Sequence, residues 1–327
     1  MAPNGDGLRR AAIIGAGRMG VGIAESFVMA GLDVILADGT PELSRASLAR
    51  LAERMNGHAE AGLISRERAQ LAASVQAADS IAQAVTGADL VIEAVTEDVE
   101  VKREVLGACD AAAAPNAIIA SNTSSLDINT LATFVRDPRR FLGIHWFNPP
   151  EWTPGVEVIG GEHTAPEVAA RVVGLLERIG KRPSIVSSSV GFIANRLQMA
   201  LFCEAARCVE EGLASPRDID EVMRSCFGFR LPYFGPFQIA DMAGLDVYQA
   251  VLEQHHNVLG ERFELPEMLR RLVREGRLGT ASGSGFYDYA PGASETLLVE
   301  RDRRYASLGA LLASEPPLEF EGGTCTE

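Results

Sequence analysis

The sequence has few cysteines, no excess of positive charge and no long apolar run. Its five cysteines form no CxxC pair, and an odd count of this kind is typical of a reducing compartment. The chain has 44 acidic and 30 basic residues, and its net charge of −14 argues against a surface for nucleic acid or anionic membrane. No apolar stretch approaches the roughly 18 residues of a membrane span, and only ten residues precede the first apolar run, too few for a secretory signal peptide. These absences predict a cytoplasmic protein without a resident metal.

Two patterns follow each other along the 327 residues, of which 47% are apolar. From residue 11 to about 188, short β-rich runs alternate with helical stretches, which is typical of a parallel sheet covered by helices. The predicted strands are Ala11–Gly15, Val34–Asp38, Leu90–Ala94, Ala117–Ser121, Leu142–His145, Val156–Ile159 and Pro183–Val186. Several of them are apolar throughout, as expected for strands that are covered on both faces.

After Gly191 the strand signals stop and helical patterns take over. The predicted helices cover residues 192–212, 215–226, 236–259 and 266–275, with a last one at 300–312. We therefore predict an α/β domain with a mostly parallel sheet at 1–188 and an all-helical domain at 189–327. The tail from about residue 315 is rich in Pro, Glu and Gly, which predicts disorder.

A glycine-rich hexapeptide, GAGRMG, joins the first predicted strand to a helical run that extends through Met29. In this GxGxxG pattern Gly15 permits a tight turn, and Gly17 lets the backbone approach a pyrophosphate. Gly20 lets the helix pack closely against the strand. The phosphates would lie at the N-terminus of the helix, where unpaired N–H groups favour negative charge.

Asp38 ends the second predicted strand, at about the spacing expected for the acidic residue of a dinucleotide-binding unit. Its carboxylate can accept hydrogen bonds from the adenine ribose hydroxyls and would repel a 2′-phosphate. The strand, the glycines and Asp38 together predict a Rossmann-like domain that binds NAD in preference to NADP.

Two other residues could carry proton chemistry. Glu157 lies within an apolar strand, where a carboxylate is costly unless it is paired. His145 ends the preceding predicted strand, and its imidazole could donate one N–H to Glu157 and keep the other nitrogen as an acceptor. A histidine held in this way can take a hydroxyl proton while hydride leaves the same carbon for nicotinamide. The spacing alone does not compel this pairing, so a structural role for His145 stays open.

An ordered set of motifs between residues 10 and 290 resembles one family, the L-3-hydroxyacyl-CoA dehydrogenases. The motifs are GAGRMG, Val95–Glu97 (VTE) with Lys102, Ser121–Leu126 (SNTSSL), His145–Pro149 (HWFNP), Val156–Ile159 (VEVI), Gly191–Leu197 (GFIANRL), Gly235–Phe237 (GPF) and Gly283–Tyr287 (GSGFY). The ordered set is far more specific than any one of its members.

The resemblance implies an NAD-dependent dehydrogenase with a Rossmann-like N-terminal domain and a helical C-terminal domain that binds substrate and forms a homodimer. It implies that His145 is the general base and that Glu157 is its partner. Ser124 and Asn195 resemble residues that bond the substrate's oxygen, and Asn148 resembles a nearby positioning group.

The resemblance also assigns a set of residues to the cofactor. These are Gly15, Gly17, Met19, Gly20, Asp38, Glu97, Lys102 and Asn122. Among them, Glu97 and Lys102 resemble residues beside the nicotinamide ribose.

The chain departs from the acyl-CoA members of the family at two places. Those members usually carry a Met-Lys pair just before the VEVI segment, and a lysine-rich helix after the second strand that meets the CoA phosphates. Here the corresponding segments are Glu151–Gly155 and Thr40–Asn56, and the second contains three arginines and no lysine. With the sequence Asn148–Pro150, these departures resemble the branch that oxidises small free hydroxy acids or alcohols, such as gulonate 3-dehydrogenase.

Three functions stay open. The first is reversible oxidation of a 3-hydroxyacyl-CoA or a related substrate, as in fatty acid metabolism. The second is oxidation of a small substrate without CoA, of the gulonate type, the carnitine type or a pyridine-ring alcohol or aldehyde. The third is a catalytically silent NAD-binding dimer, against which the intact pair His145 and Glu157 argues.

Other polar residues receive structural interpretations from the sequence. Glu25, in the middle of the first helix, is expected to be solvated, and Asp241 is expected to cap a helix. Glu253 lies one turn before His256, but no further ligand is evident, so no metal site is predicted.

Overall fold

The computed structural model describes residues 7–315. The chain divides into two units, Met1–Phe202 and Cys203–Glu327, which we call the N-terminal and C-terminal units. The boundary between these units lies further along the chain than the predicted domain limit at 188, which stays a prediction. All but the first residue of the predicted disordered tail lies outside the described residues.

The N-terminal unit is built on one eight-stranded sheet. Its strands are β1 Arg10–Ile14, β2 Asp33–Ala37, β3 Gln76–Ala77, β4 Leu90–Glu93, β5 Ile118–Ser121, β6 Phe141–Trp146, β7 Gly155–Gly160 and β8 Arg182–Ser187. Their order in the sheet is β3-β2-β1-β4-β5-β6-β7-β8. All neighbours are parallel except β6 and β7, which are antiparallel. The predicted mostly parallel sheet is thereby confirmed.

The seven predicted strands are present, with ends that differ from the prediction by one residue at most. The prediction omits β3, because a strand of two residues is too short to show a period. Alternate residues of the central strands enter two separate apolar layers. Ile13 packs with residues such as Phe27 and Leu51 on one face, and Ile14 packs with residues such as Leu106 on the other. Burial on both faces explains why these strands are apolar throughout.

Helices cover both faces of this sheet. They are α1 Arg18–Met29, α2 Pro41–Glu60, α3 Arg66–Ala69, α4 Ile81–Val85, α5 Val99–Ala112, α6 Ile128–Ala132 and α7 Pro166–Arg178. Several begin at a side chain that accepts a backbone N–H of the first turn, as Thr40, Ser80, Asp98 and Asp127 do. The helix α1 is an exception, because its N-cap is Gly17 and no side chain caps it.

The remaining helices begin with α8, which crosses the boundary between the units. They are α8 Ala194–Glu210, α9 Pro216–Val222, α10 Pro236–Ala243, α11 Leu245–Leu259, α12 Glu267–Arg274 and α13 Ala293–Ser314. The predicted run 236–259 is two helices, because Gly244 takes a positive φ of 101° that an α-helix does not allow. Among the described residues, no helix is long and apolar enough to cross a membrane.

Asp241 has a different role from the cap that the sequence suggests. Its side chain is buried and accepts hydrogen bonds from the backbone N–H groups of Phe286 and Tyr287, both at 3.0 Å, and from the hydroxyl of Tyr289 at 2.7 Å. Asp241 therefore fastens the GSGFY loop to α10 within the C-terminal unit. Burial, together with the carboxylate of Asp241, raises the pKa of the Tyr289 hydroxyl, which stays a donor.

Candidate active site

The glycine loop after β1 leaves backbone donors free at the start of α1. Gly15 has a φ of 94°, and a Cβ there would lie 2.6 Å from the carbonyl carbon of Ala94. A Cβ at Gly20 would overlap the carbonyl oxygen of Gly15, so the helix can approach the strand only without a side chain. Within the described part of the chain, nothing lies within 4 Å of a Cβ placed on Gly17. The uncapped N-terminus of α1 therefore faces open space that a pyrophosphate could fill.

Asp38 lies beside this loop, directly after β2. Its Oδ2 accepts a hydrogen bond from the N–H of Ala16 at 3.2 Å, and its Oδ1 accepts one from the N–H of Gly39 at 2.7 Å. These bonds hold the carboxylate at the carboxyl end of the parallel strands, where nucleotides bind in open α/β sheets.

A buried ion pair lies at the end of the neighbouring strand β4. Glu93 and Lys102 are both fully buried, and the Lys102 Nζ lies 2.6 Å from Oε1 of Glu93. Glu93 also accepts hydrogen bonds from the hydroxyl of Ser121 at 2.5 Å and from the N–H of Val95 at 2.8 Å. Glu93 was not among the predicted site residues, although a glutamate that ends the apolar strand LVIE is a visible signal in the sequence.

Glu97 organises the segment after β5. One of its oxygens, Oε1, accepts hydrogen bonds from the hydroxyl of Thr123 at 2.6 Å and from the N–H groups of Ser124 at 2.8 Å and Ser125 at 3.0 Å. Its other oxygen lies 3.4 Å from Nζ of Lys102. Burial raises the pKa of Glu97, but the bond from Thr123 and the charge of Lys102 outweigh it and lower the pKa below its ordinary value. Glu97 is therefore a carboxylate that shapes the SNTSSL loop.

His145 and Glu157 face each other across the antiparallel pair β6 and β7, where they are register partners. The His145 Nδ1 lies 2.9 Å from Oε2 of Glu157, and both side chains are buried. The other oxygen of Glu157 accepts the N–H groups of Ile193 at 3.0 Å and Ala194 at 2.9 Å, where α8 begins. These bonds orient the carboxylate, which in turn orients the imidazole.

The second ring nitrogen of His145, Nε2, has no hydrogen-bond partner among residues 7–315. The ring lies between two aromatic side chains, with centroid distances of 4.4 Å to Phe147 and 5.5 Å to Phe192. Phe192 is fully buried and has a positive φ of 47°, a conformation that bulky residues rarely adopt. The two aromatic rings and Glu157 together fix the orientation of the imidazole.

Of the three predicted substrate residues, the structure brings Ser124 and Asn195 into contact. Asn195 donates a hydrogen bond from Nδ2 to the backbone oxygen of Ser124 at 3.3 Å. Asn148 is exposed, two residues beyond the end of β6.

Two residues assigned to the cofactor make contacts within the protein. Asn122 accepts a hydrogen bond from the N–H of Trp146 at 3.0 Å, and Met19 packs against the apolar core.

Comparison with known proteins places these features in a family. The family model for the NAD binding domain of 3-hydroxyacyl-CoA dehydrogenase matches residues 10–189, and the model for the C-terminal domain of the same enzyme matches residues 191–289. The chain belongs to the 3-hydroxyacyl-CoA dehydrogenase family. The resemblance seen in the sequence is thereby confirmed.

Individual relatives of this family cover nearly the whole chain. A 5-formyl-3-hydroxy-2-methylpyridine 4-carboxylate 5-dehydrogenase from Mesorhizobium japonicum is 36% identical over 308 residues, which are 93% of this chain and 98% of that enzyme. A probable 3-hydroxybutyryl-CoA dehydrogenase from Bacillus subtilis is 38% identical over 283 residues, which are 86% of this chain and 98% of that protein. The crystal structure of a 3-hydroxyacyl-CoA dehydrogenase from Archaeoglobus fulgidus superposes with a TM-score of 0.78 at 32% identity, covering 94% of this chain and all of that one.

The family assignment makes this protein an NAD-dependent dehydrogenase that acts on a CH–OH group. The described residues fit the cofactor, because α1 begins uncapped at Gly17 beside an open space and Asp38 lies next to the same loop. The backbone N–H groups of the loop would hold the pyrophosphate, and Asp38 would accept the ribose hydroxyls.

We expect Asp38→Ala to weaken NAD binding by about 10-fold or more and to relax the discrimination against NADP. The change removes a charged hydrogen-bond acceptor and the repulsion of a 2′-phosphate. Fluorescence titration with NADH and NADPH measures both effects. Asp33→Ala, which removes the same charge from the exposed start of β2, is the matched control. An unchanged preference for NAD in Asp38→Ala would remove this residue from the ribose site.

The segment that joins His145 to Glu157 is fastened to the body of the N-terminal unit. The Lys181 Nζ donates to the backbone oxygens of Pro150 at 2.6 Å, Glu151 at 3.2 Å and Thr153 at 2.9 Å. Burial lowers the pKa of Lys181, which the nearby carboxylate of Glu151 partly offsets. This anchor keeps the connection between β6 and β7 in place.

The prediction that Glu25 is solvated is wrong, because its side chain is buried. It belongs to an ion-pair network that includes Glu151 of the segment between β6 and β7. Arg54 lies 3.0 Å from Oε2 of Glu25 and also bonds Glu151, and the His58 Nδ1 lies 2.7 Å from Oε1 of Glu25. Glu25, His58 and Glu151 bring possible metal ligands within 4.8 Å of one another. The guanidinium of Arg54 already supplies positive charge to both carboxylates there. A pattern of apolar spacing along α1 could not have shown this partner from α2.

Proposed function

We propose that this dehydrogenase oxidises a 3-hydroxy group to the ketone, reversibly, with His145 as general base and Glu157 as the residue that orients it. The observation that carries the proposal is the geometry of the imidazole. Its Nδ1 bonds Glu157 at 2.9 Å, and its Nε2 is left without a partner among the described residues. This is the arrangement that a proton acceptor needs.

In the proposed reaction the substrate loses a proton from oxygen and a hydride from the adjoining carbon, and a C=O bond forms. When bound, NAD supplies the hydride acceptor. The Nε2 of His145 takes the hydroxyl proton, and Glu157 stabilises the imidazolium that forms. In the reverse direction the same imidazolium returns the proton to the oxygen of the ketone.

The contacts of Glu157 explain how it would orient the imidazole. Two backbone N–H groups at the start of α8 occupy Oε1, so Oε2 points to the imidazole. Glu157 therefore acts as a positioning residue whose charge balances the protonated ring.

We propose that Ser124 and Asn195 hold the reacting oxygen of the substrate. Ser124 is exposed, and its hydroxyl makes no hydrogen bond within the described part of the chain. Asn195 lies against the backbone of Ser124 through its amide group. The two polar groups are thus held together at the point where β5 and α8 supply residues to the site.

A second candidate function is oxidation of a small acid or alcohol without CoA, and the contacts of the arginines in α2 favour it. Arg45 pairs with Glu42 at 2.9 Å and Asp79 at 2.8 Å. Arg50 donates to the backbone oxygen of Ala16 at 2.8 Å, and Arg54 is bound in the Glu25 network. All three guanidinium groups are engaged within the protein. They are therefore poorly placed to replace lysines that meet CoA phosphates.

A substrate panel tests the proposal and separates its two substrate classes. The panel compares (S)-3-hydroxybutyryl-CoA with free 3-hydroxybutyrate, gulonate, carnitine and a hydroxymethylpyridine carboxylate, and NADH absorbance reports turnover. Turnover of the thioester alone supports the first candidate, and turnover of a free acid supports the second. Binding of NADH without turnover of any member would contradict both and favour the silent NAD-binding protein.

The homodimer, the cytoplasmic location and the place in fatty acid metabolism stay predictions. We propose the dimer and the cytoplasm from the family resemblance and the composition. Light scattering after size exclusion measures the first.

A further inference from the structure

A cavity of about 370 Å³ lies within the C-terminal unit, between α10 and α13. One side is apolar and is formed by Ile239, Met242 and Ala243 of α10. The other side is polar and is formed by Arg230, Arg301, Asp302 and Tyr305. A volume of this size, with a few polar groups on an apolar wall, is typical of a site for a small organic molecule.

Arg230 is the residue in this cavity whose charge is not balanced. Among residues 7–315, no carboxylate lies within ion-pair distance of its guanidinium, which lies 5.9 Å from the ring of Phe227. Its Nε is buried and has no hydrogen-bond partner in the part of the chain that the structure describes. A buried donor without an acceptor is costly, so an acceptor that enters the cavity would stabilise it.

Two further donors lie near Arg230. Arg301 pairs with its neighbour Asp302 at 2.7 Å, so the two arginines and the aspartate leave one net positive charge in a chain of charge −14. Tyr305 is held by Phe229 and Phe234 at ring distances of 5.4 and 6.0 Å. Burial raises the pKa of the Tyr305 hydroxyl although both arginines lower it, so the hydroxyl stays protonated and can donate.

We propose that this cavity binds the carboxylate of a small organic anion. The guanidinium groups of Arg230 and Arg301 and the hydroxyl of Tyr305 donate to the carboxylate, and the body of the anion packs on the apolar wall of α10. Arginine is suited to this role because its planar fork matches the two oxygens of a carboxylate. One net positive charge matches one carboxylate and is too little for the several phosphate charges of a coenzyme A.

The position of α13 in the chain supports a specialised role for this cavity. The family model of the C-terminal domain ends at residue 289, and α13 begins at Ala293. The helix that supplies Arg301 and Tyr305 is therefore an addition to the matched domain. Tyr305 packs on Phe229 and Phe234, which belong to the segment before α10 that also contains Arg230, and Arg301 lines the same cavity.

Calorimetric titration of the full chain with benzoate and with benzamide, without NAD, tests the proposal. The two probes have the same shape, and only benzoate has a negative charge. We expect benzoate to bind at least about 10-fold more tightly than benzamide, because a charged acceptor is recognised by several donors. Arg230→Ala should lose most of this preference, Tyr305→Phe should lose part of it, and Arg230→Lys should keep part of it.

Arg224→Ala is the matched control, because Arg224 is an exposed arginine of the same unit that pairs with Glu221 at 2.7 Å. Circular dichroism of each variant shows whether it is folded. If benzoate binds wild type no better than benzamide, or binds folded Arg230→Ala as well as wild type, the proposal is wrong.

Kinetics test whether the bound anion is separate from the substrate. We expect Arg230→Ala to lose benzoate binding and to leave KM for NAD and for the substrates of the panel unchanged. A raised KM for a free acid of the panel would contradict a separate ligand. This proposal does not rest on the proposed function. His145→Gln would stop turnover without changing benzoate binding, so the two proposals fail separately.

Discussion

Replacement of His145 by glutamine is expected to lower kcat by about 10²–10⁴-fold, with little change in the affinity for NADH. Glutamine fills a similar volume but cannot accept the hydroxyl proton, so the substrate loses its general base. Initial rates of NADH formation at saturating substrate give kcat, and fluorescence titration measures the NADH affinity. His163→Gln is the matched control, because His163 is exposed and precedes α7 in a loop.

Glu157→Gln is expected to lower kcat to a comparable extent. The amide can still meet Nδ1, but it has no charge to stabilise the imidazolium and can favour the wrong tautomer. The two single losses should not add in the double variant, because both residues act on one proton. Near-normal turnover in both single variants would reject the pair as the catalytic device.

Lys102→Met is expected to destabilise the N-terminal unit by about 3–5 kcal/mol. Lys102 and Glu93 are both fully buried, so removal of the ammonium leaves a buried carboxylate without its counter-charge. Urea unfolding followed by circular dichroism measures the change. Arg103→Met, which removes an exposed charge from the next position of α5, should cost less than about 1 kcal/mol.

A double variant separates the charge effect from lost packing. Glu93→Gln with Lys102→Met removes both charges and keeps an acceptor for the hydroxyl of Ser121 and the N–H of Val95. We expect it to recover a large part of the stability that Lys102→Met loses. A loss in Lys102→Met no greater than that in Arg103→Met would contradict the assigned role of this ion pair.

Much of the cofactor site was predictable, because its determinants are local. The turn at Gly15, the close approach at Gly20 and the acid at the end of β2 depend on a strand, a turn and a helix that adjoin in sequence. The confirmed strands were predictable for a related reason, since burial on both faces makes each of them apolar along its whole length.

The partners of the buried charges could not be predicted from spacing. Glu25 was expected in solvent, yet it meets Arg54 from α2, and Asp241 was expected to cap a helix, yet it binds the GSGFY loop. The assignment of Lys102 to the cofactor stays a prediction, and its buried ion pair with Glu93 was not visible in the sequence. Each of these contacts depends on how two elements pack, which no pattern within one element records.

The sequence by itself determined the family, the NAD-binding loop and the histidine and glutamate that could form a catalytic pair. Only the tertiary structure decided that His145 and Glu157 are register partners on antiparallel strands. It also decided that Oε1 of Glu157 accepts hydrogen bonds from the N–H groups of Ile193 and Ala194, where α8 begins. The physical reason is that strand register and helix approach are set by packing between segments far apart in sequence. The same holds for the arginines of α2, whose charges are visible in the sequence but whose engagement with other groups is not.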